Sequence, residues 1–219
     1  MKSSACILGL GKRATLFYQK ELATRLLNEG GDPIHLVYAD FDQINPYMPD
    51  NHLVIKKKLK PSIQEIIEKG FSHVIVPNIT MHKILDEMEL PFQLIHPIEL
   101  LQRKLASCKL PIMILGTRHT SKNSFIGKAV TDRGFEVISA EEATIKQVDE
   151  FRVRMYDMNE TDKEIIEFNT LVRRLSYSFT VVVACTELTI ANLHSDKILD
   201  LGQFQIEEAV RLMLQAAQS

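Results

Sequence analysis

Cys185, Thr186 and Glu187 stand together one residue after the apolar run Thr180–Val183. A thiol at the end of a buried strand, near backbone N–H groups and a carboxylate, suits proton transfer or nucleophilic attack. The competing reading of Cys185 is a small buried hydrophobe, and of Glu187 a first-turn residue favoured by a helix dipole. A second cluster, Pro77-Asn78-Ile79-Thr80-Met81-His82, combines amide, hydroxyl and imidazole groups. His82 titrates near neutral pH in an ordinary setting, while Asn78 and Thr80 also suit helix capping. A third, Gly116-Thr117-Arg118-His119-Thr120, offers two hydroxyls, a guanidinium and an imidazole that suit a carboxylate, with capping by Thr120 or Ser121 as the alternative. Gly9-Leu10-Gly11-Lys12-Arg13-Ala14 meets the glycine pattern of dinucleotide sites. The candidate ribose acids Asp40 and Asp42 come nearer ~30 than ~20 residues later, and the second half of the chain lacks the glycines, so nicotinamide binding is disfavoured.

The elements that must position these groups alternate. Strands are expected at Ala5–Gly9, Ile34–Ala39, His73–Val76, Pro111–Leu115, Glu136–Ser139 and Thr180–Val183, with a short apolar run at Pro91–Ile95. Helical spacing covers Thr15–Gly30, Pro61–Lys69, His82–Glu89, Ile98–Ser107, Ser124–Gly134, Ala143–Tyr156, Asp162–Ser178 and Gln205–Ala217, with a loop through Ile190–His194. Strands separated by helices predict parallel βαβ units, and Val181-Val182-Val183 suits a strand buried on both faces. The halves echo each other: Ile7-Leu8-Gly9 and Ile114-Leu115-Gly116 both lead into threonines, and Val74-Ile75-Val76 precedes Asn78 much as Val181-Val182-Val183 precedes Cys185. The reading is an α/β protein of two similar lobes, each with a parallel four-stranded type of sheet flanked by helices. Residues 1–98 with 200–219 form one lobe and 99–199 the other. Ligands bind beyond the carboxyl ends of such strands, so the four loops are expected around one cleft between the lobes.

Composition narrows the function classes. Net charge is −2, hydrophobic residues make up 45% and charged residues 25%, an ordinary globular balance without a nucleic-acid footprint. The basic run Lys56-Lys57-Lys58 with Lys60 reads as a solvated approach to a helix beginning at Pro61. No apolar stretch approaches the ~18 residues needed to span a membrane. Met1-Lys2-Ser3-Ser4 leaves no room for a signal peptide before the first strand. Cys6, Cys108 and Cys185 have no metal-type spacing, and Cys6 and Cys108 are assigned to packing. A cytoplasmic protein without metal is expected.

Taken together, these segments resemble the aspartate/glutamate racemase superfamily, its aspartate-racemase branch in particular. Ile7–Thr15 is similar to the Gly-Gly-Met…Ala-Thr entrance loop, and Pro77–His82 to Pro-Cys-Asn-Thr-x-His. Leu115–Thr120 matches Leu-Gly-Thr-x-x-Thr, and Ala184–Leu188 matches Gly-Cys-Thr-Glu-Leu, all in family order. The resemblance implies a cofactor-independent, PLP-independent isomerase acting on a small acidic amino acid or dicarboxylate, as a homodimer. It implies Cys185 as the second catalytic thiol, with Thr80, Thr117, Thr120, Thr186, Gly11 and His82 around the substrate and Glu187 supporting the thiol. The first thiol position is Asn78, and the neighbouring family asparagine is Ile79. An amide neither gives nor takes a proton near neutral pH. Where relatives tend to carry a C-terminal histidine, this chain has Gln205. The resemblance therefore implies racemase-type proton transfer at Cα through Cys185, impaired or one-directional. Its alternatives are a single-thiol decarboxylase or isomerase and an inactive small-ligand binding protein.

Overall fold

The computed structural model describes residues 5–122, 125–193, 195 and 198–217. Met1-Lys2-Ser3-Ser4, Ser124 and His194, to which expectations attach, lie outside the described residues. The chain divides into two compact units, Met1–His96 with Gln205–Ser219, and Pro97–Phe204.

The first unit is built on β1 (Ala5–Gly9), α1 (Lys12–Asn28), β2 (His35–Tyr38), α2 (Phe41–Ile44), a 3-10 turn at Asn45–Tyr47, α3 (His52–Glu68), β3 (His73–Ile75), α4 (Ile79–Leu85) and β4 (Gln93–Leu94). Its strands are all parallel, in the order β2-β1-β3-β4. Every residue of β1 is buried, as a central parallel strand requires. Cys6, Leu8, Val74 and Val76 meet Ile55, Leu59, Ile63 and Ile66 of α3 in one core cluster.

The second unit comprises α5 (Pro97–Leu105), β5 (Ile112–Leu115), α6 (Arg118–Lys122), α7 (Phe125–Thr131), α8 (Glu142–Asp157), α9 (Asp162–Leu175), β6 (Thr180–Val183), α10 (Thr186–Ala191) and β7 (Ile198–Asp200). Strands β5, β6 and β7 are parallel, in that order, and β5 is wholly buried. The last helix, α11 (Leu201–Ala217), leads from the second unit into the first. Thr161 opens α9 with a capping box: its hydroxyl accepts from the Glu164 amide while the Glu164 carboxylate takes the Thr161 N–H.

Three expectations are corrected. The Lys56-Lys57-Lys58 run lies inside α3, which begins at His52 and passes through Pro61. Proline interrupts a helix by removing a donor and crowding the carbonyl four residues back. Here Pro61 and Lys57 are both exposed, so that carbonyl is left to water. The expected strand Glu136–Ser139 contributes one isolated bridge, Val137 with Ile112, so among the described residues the second sheet has three strands rather than four. The expected loop from Ile190 starts later, because Thr186–Ala191 is helical.

Candidate active site

The turn after β6 places Cys185 in extended conformation (φ −149°, ψ 131°) as the residue preceding α10. Its thiol does not cap the helix. Sγ instead donates to Oε2 of Glu187 at 3.0 Å, and the Thr186 hydroxyl donates to the same oxygen at 3.1 Å. Cys185 and Thr186 are buried, at 6% and 4% exposure. Burial pushes the thiol well above the ordinary thiol range, reinforced by the charge and hydrogen bond of Glu187. Cys185 thus rests as a protonated thiol beside a carboxylate.

The backbone of Cys185 is tied down from behind. Its carbonyl accepts from the Thr189 amide at 3.0 Å, and the Thr189 hydroxyl donates to Oδ1 of Asp200 at 2.8 Å. Asp200 is itself buried and accepts from Asn192 Nδ2 and from the Gly202 and Gln203 amides at the start of α11.

In the same unit, Thr117 and Thr120 share a hydroxyl contact of 2.9 Å, and the Thr117 oxygen accepts from the Thr120 amide at 3.1 Å. Thr117 therefore caps α6. The Gly116 amide donates to Oγ of Ser121 at 3.1 Å. A side chain at Gly116 would meet the Ala184 carbonyl at 3.0 Å, next to Cys185. Arg118, expected beside the threonines, pairs with Glu142 at the surface.

In the first unit, Asn78 adopts the same extended conformation (φ −159°, ψ 105°) before α4. Unlike Cys185 it does cap: Oδ1 accepts from the Met81 amide at 3.0 Å. The Asn78 carbonyl accepts from Nδ1 of His82 at 3.0 Å, matching the side-chain link four residues on that the Thr189 hydroxyl makes to the Cys185 carbonyl at 3.3 Å. Nε2 of His82 accepts from Nε2 of Gln205 at 3.2 Å. Gln205 also donates to the Ile95 carbonyl at 2.8 Å and accepts from the Tyr18 hydroxyl at 3.0 Å. His82, Gln205 and Tyr18 are all 0% exposed. The expectation that His82 titrates near neutrality is not met: burial, with the charge of His96, pushes its pKa down to about 3. His82 positions Asn78 as a neutral imidazole. Thr80 lies half-buried in the first turn of α4. Gly11 is buried before α1 and accepts from the Thr15 amide at 3.0 Å.

The Leu10 amide donates to Oγ1 of Thr15 at 3.1 Å, five residues on, as Gly116 does to Ser121. Both entrance loops thus close alike on a buried hydroxyl. Asp40, a candidate ribose acid, is spent on capping α2 through the Gln43 amide.

Sequence reasoning missed one charged residue of this site. Arg152 of α8 donates through Nε to Oδ1 of Asp149 at 2.9 Å and is 22% exposed. Burial opposes its charge, but Cys185, Asp149 and Glu187 together favour the cation and raise its pKa. A helix bearing charges of both signs gives no sequence signal that singles it out. Cys6 lies inside β1, where burial raises its pKa to about 12, and Cys108 is half-buried after α5. Among the described residues no cluster of histidine, cysteine and acidic groups suits a metal ion, and no helix is long and apolar enough to cross a membrane.

Comparison with known proteins fits this architecture. The sequence profile of the Asp/Glu/hydantoin racemase family matches residues 7–213. Among curated proteins none matches the chain in sequence. A Yersinia pestis structure provisionally named an Asp/Glu racemase is similar at a TM-score of 0.78 and 19% identity, covering 98% of this chain and 100% of that one. An aspartate racemase homologue from Pyrococcus horikoshii OT3 gives 0.75 and 18%, covering 97% and 99%. The glutamate racemase isoform RacE1 of Bacillus anthracis gives 0.59 and 14%, covering 98% and 83%. With both parallel sheets in place and the family profile spanning nearly its whole length, the chain belongs to the Asp/Glu/hydantoin racemase family.

Proposed function

We propose that this protein is a PLP-independent enzyme that moves a proton at Cα of a small acidic amino acid, with Cys185 as its one catalytic thiol. The observation that carries the reading is the buried Cys185 thiol bonded to the Glu187 carboxylate at 3.0 Å. Glu187 accepts the thiol proton, the thiolate takes the Cα proton, and the resulting carbanion is stabilised by the adjacent carboxylate of the substrate. Return of a proton from the same sulfur restores the starting configuration. Asn78 stands where the family pattern has its other thiol, and its amide supplies no proton to the opposite face. The chemistry is therefore one-directional exchange rather than full two-base racemisation. Thr80, Thr117, Thr120, Thr186 and Gly11 hold the carboxylate and amino groups, and no cofactor takes part.

A protonated thiol also suits the alternative, a single-thiol decarboxylase. There the substrate loses CO₂ and the Cys185 proton quenches the carbanion. The buried, apolar Ile79 in place of a polar residue supports this second reading.

The test is incubation with each enantiomer of aspartate and glutamate in D₂O, following Cα deuteration by NMR and configuration by chiral chromatography, beside Cys185→Ser. Deuteration with retained configuration, lost in the variant, is the expected outcome. Silence on all four substrates, with CO₂ released from a substituted malonate, would move the assignment to the decarboxylase. Silence on both would leave a binding protein.

A further inference from the structure

The Cys185 thiol donates its proton to the Glu187 carboxylate. Once the sulfur gives that proton up, negative charge sits on the sulfur itself. Cys185 is buried, and an uncompensated charge in such a place is costly. Two helices bring charge to the sulfur. From α10 comes Glu187, hydrogen-bonded to it at 3.0 Å, which opposes ionisation; from α8, whose Val148, Phe151 and Met155 share one core cluster with Cys185, comes Arg152, which favours it. The third charged group is Asp149, which pins Nε of Arg152. Its two Nη groups donate to no acceptor among the described residues.

We propose that Arg152, held in place by Asp149, is a positioning residue that stabilises the Cys185 thiolate, so that the sulfur can serve as a base. This rests on the reading of Cys185 as the catalytic thiol, but its test reads the sulfur and needs no turnover. A mostly buried arginine one turn from its aspartate keeps a fixed orientation, and its charge persists at every working pH. Its partial burial leaves the attraction to a thiolate less screened than at the surface.

The experiment compares the intact protein with Arg152→Gln, Arg152→Met and Arg152→Lys, labelling with neutral iodoacetamide and with iodoacetate near pH 8.5. Modification of Cys185 is counted by peptide mass spectrometry, which separates it from Cys6 and Cys108. Only the thiolate reacts, so the rate reports its population. The ratio of iodoacetate to iodoacetamide rates cancels access to the sulfur and reports positive charge beside it. Expected are a fall of about tenfold in both rates for Arg152→Gln and Arg152→Met, on the scale of one pH unit, a fall of several-fold in the ratio, and substantial recovery of both in Arg152→Lys. Arg152→Met keeps the aliphatic stem should Arg152→Gln unfold. Unchanged rates and ratio in the neutral variants, or a lysine variant no better than glutamine, overturn the proposal. So does failure of Cys185 to label in any of them, because a sulfur that serves as base must be reachable. Normal labelling shifts without Cα exchange would keep Arg152 in this role while removing the proposed activity.

Discussion

Nδ1 of His82 lies 3.0 Å from the carbonyl oxygen of Asn78, and the fully buried ring has its second nitrogen engaged by Gln205. The imidazole is a fixed neutral strut. Its folded pKa, about 3, lies below its unfolded value near 6.5. Above ~6.5 both states hold a neutral ring, and stability is indifferent to this group. Below it the unfolded chain binds a proton that the folded one refuses, so stability falls until pH nears 3, by at most about 1.4 kcal/mol per pH unit. Urea midpoints between pH 7 and 4 should therefore drop more steeply for the natural chain than for His82→Gln. Parallel slopes would contradict a neutral buried ring.

Removing the imidazole altogether leaves Gln205 with a buried donor unmatched. His82→Ala should cost about 2–4 kcal/mol, combining lost packing with an unsatisfied polar group. Urea unfolding at pH 7.5 measures it, and a loss under 1 kcal/mol would show that the network is slack.

Glu187→Gln should push two quantities in opposite directions. Without the neighbouring negative charge Cys185 ionises more readily, so its alkylation at a given pH rises. Without a carboxylate to accept the thiol proton, Cα exchange falls, by about 10²-fold on the scale of general acid–base catalysis. Alkylation and exchange falling together would point to a collapsed site.

Asn78→Cys places a thiol where the amide now caps α4. Under the proposed function, exchange with retained configuration should give way to loss of configuration, because a second thiol would supply the proton that the amide does not. Chiral chromatography over a time course decides it. Retention in a folded variant would mean that residue 78 does not serve that face.

Gly116→Ala should act on both stability and chemistry. The added carbon would meet the Ala184 carbonyl at 3.0 Å and Thr120 at 3.0–3.1 Å. Overpacking of this kind costs about 1–3 kcal/mol. It also pushes on the residue preceding Cys185, so exchange should fall further than thermal stability alone explains, measured against activity per folded molecule.

Much of this was legible from residue types. The apolar run Thr180–Val183 is β6 at its expected bounds, because a strand buried on both faces leaves a continuous hydrophobic signature. The approach to Cys185 was legible for the same reason. The start of α3 was hidden by Pro61, which ordinarily marks a boundary but here sits on an exposed face. β7 spans only Ile198–Asp200, too short for a period to register. The titration of His82 was not legible because it depends on burial beside Gln205 and on the charge of His96, neither of which its own segment shows. Arg152 was missed for the same reason: only the packing of α8 on α10 distinguishes it from its charged neighbours.

The hydrogen bond from the Met81 amide to Asn78 bears on redesign as well as on structure. Such a cap contributes about 1 kcal/mol to the helix it opens, which the thiol before α10 does not do for its own helix. A cysteine at residue 78 would leave the Met81 amide without this acceptor, so Asn78→Cys costs α4 about that much. A second thiol at this position therefore comes at the expense of the helix it precedes, and a two-thiol variant would need a stabilising change elsewhere in the fold to match the natural chain.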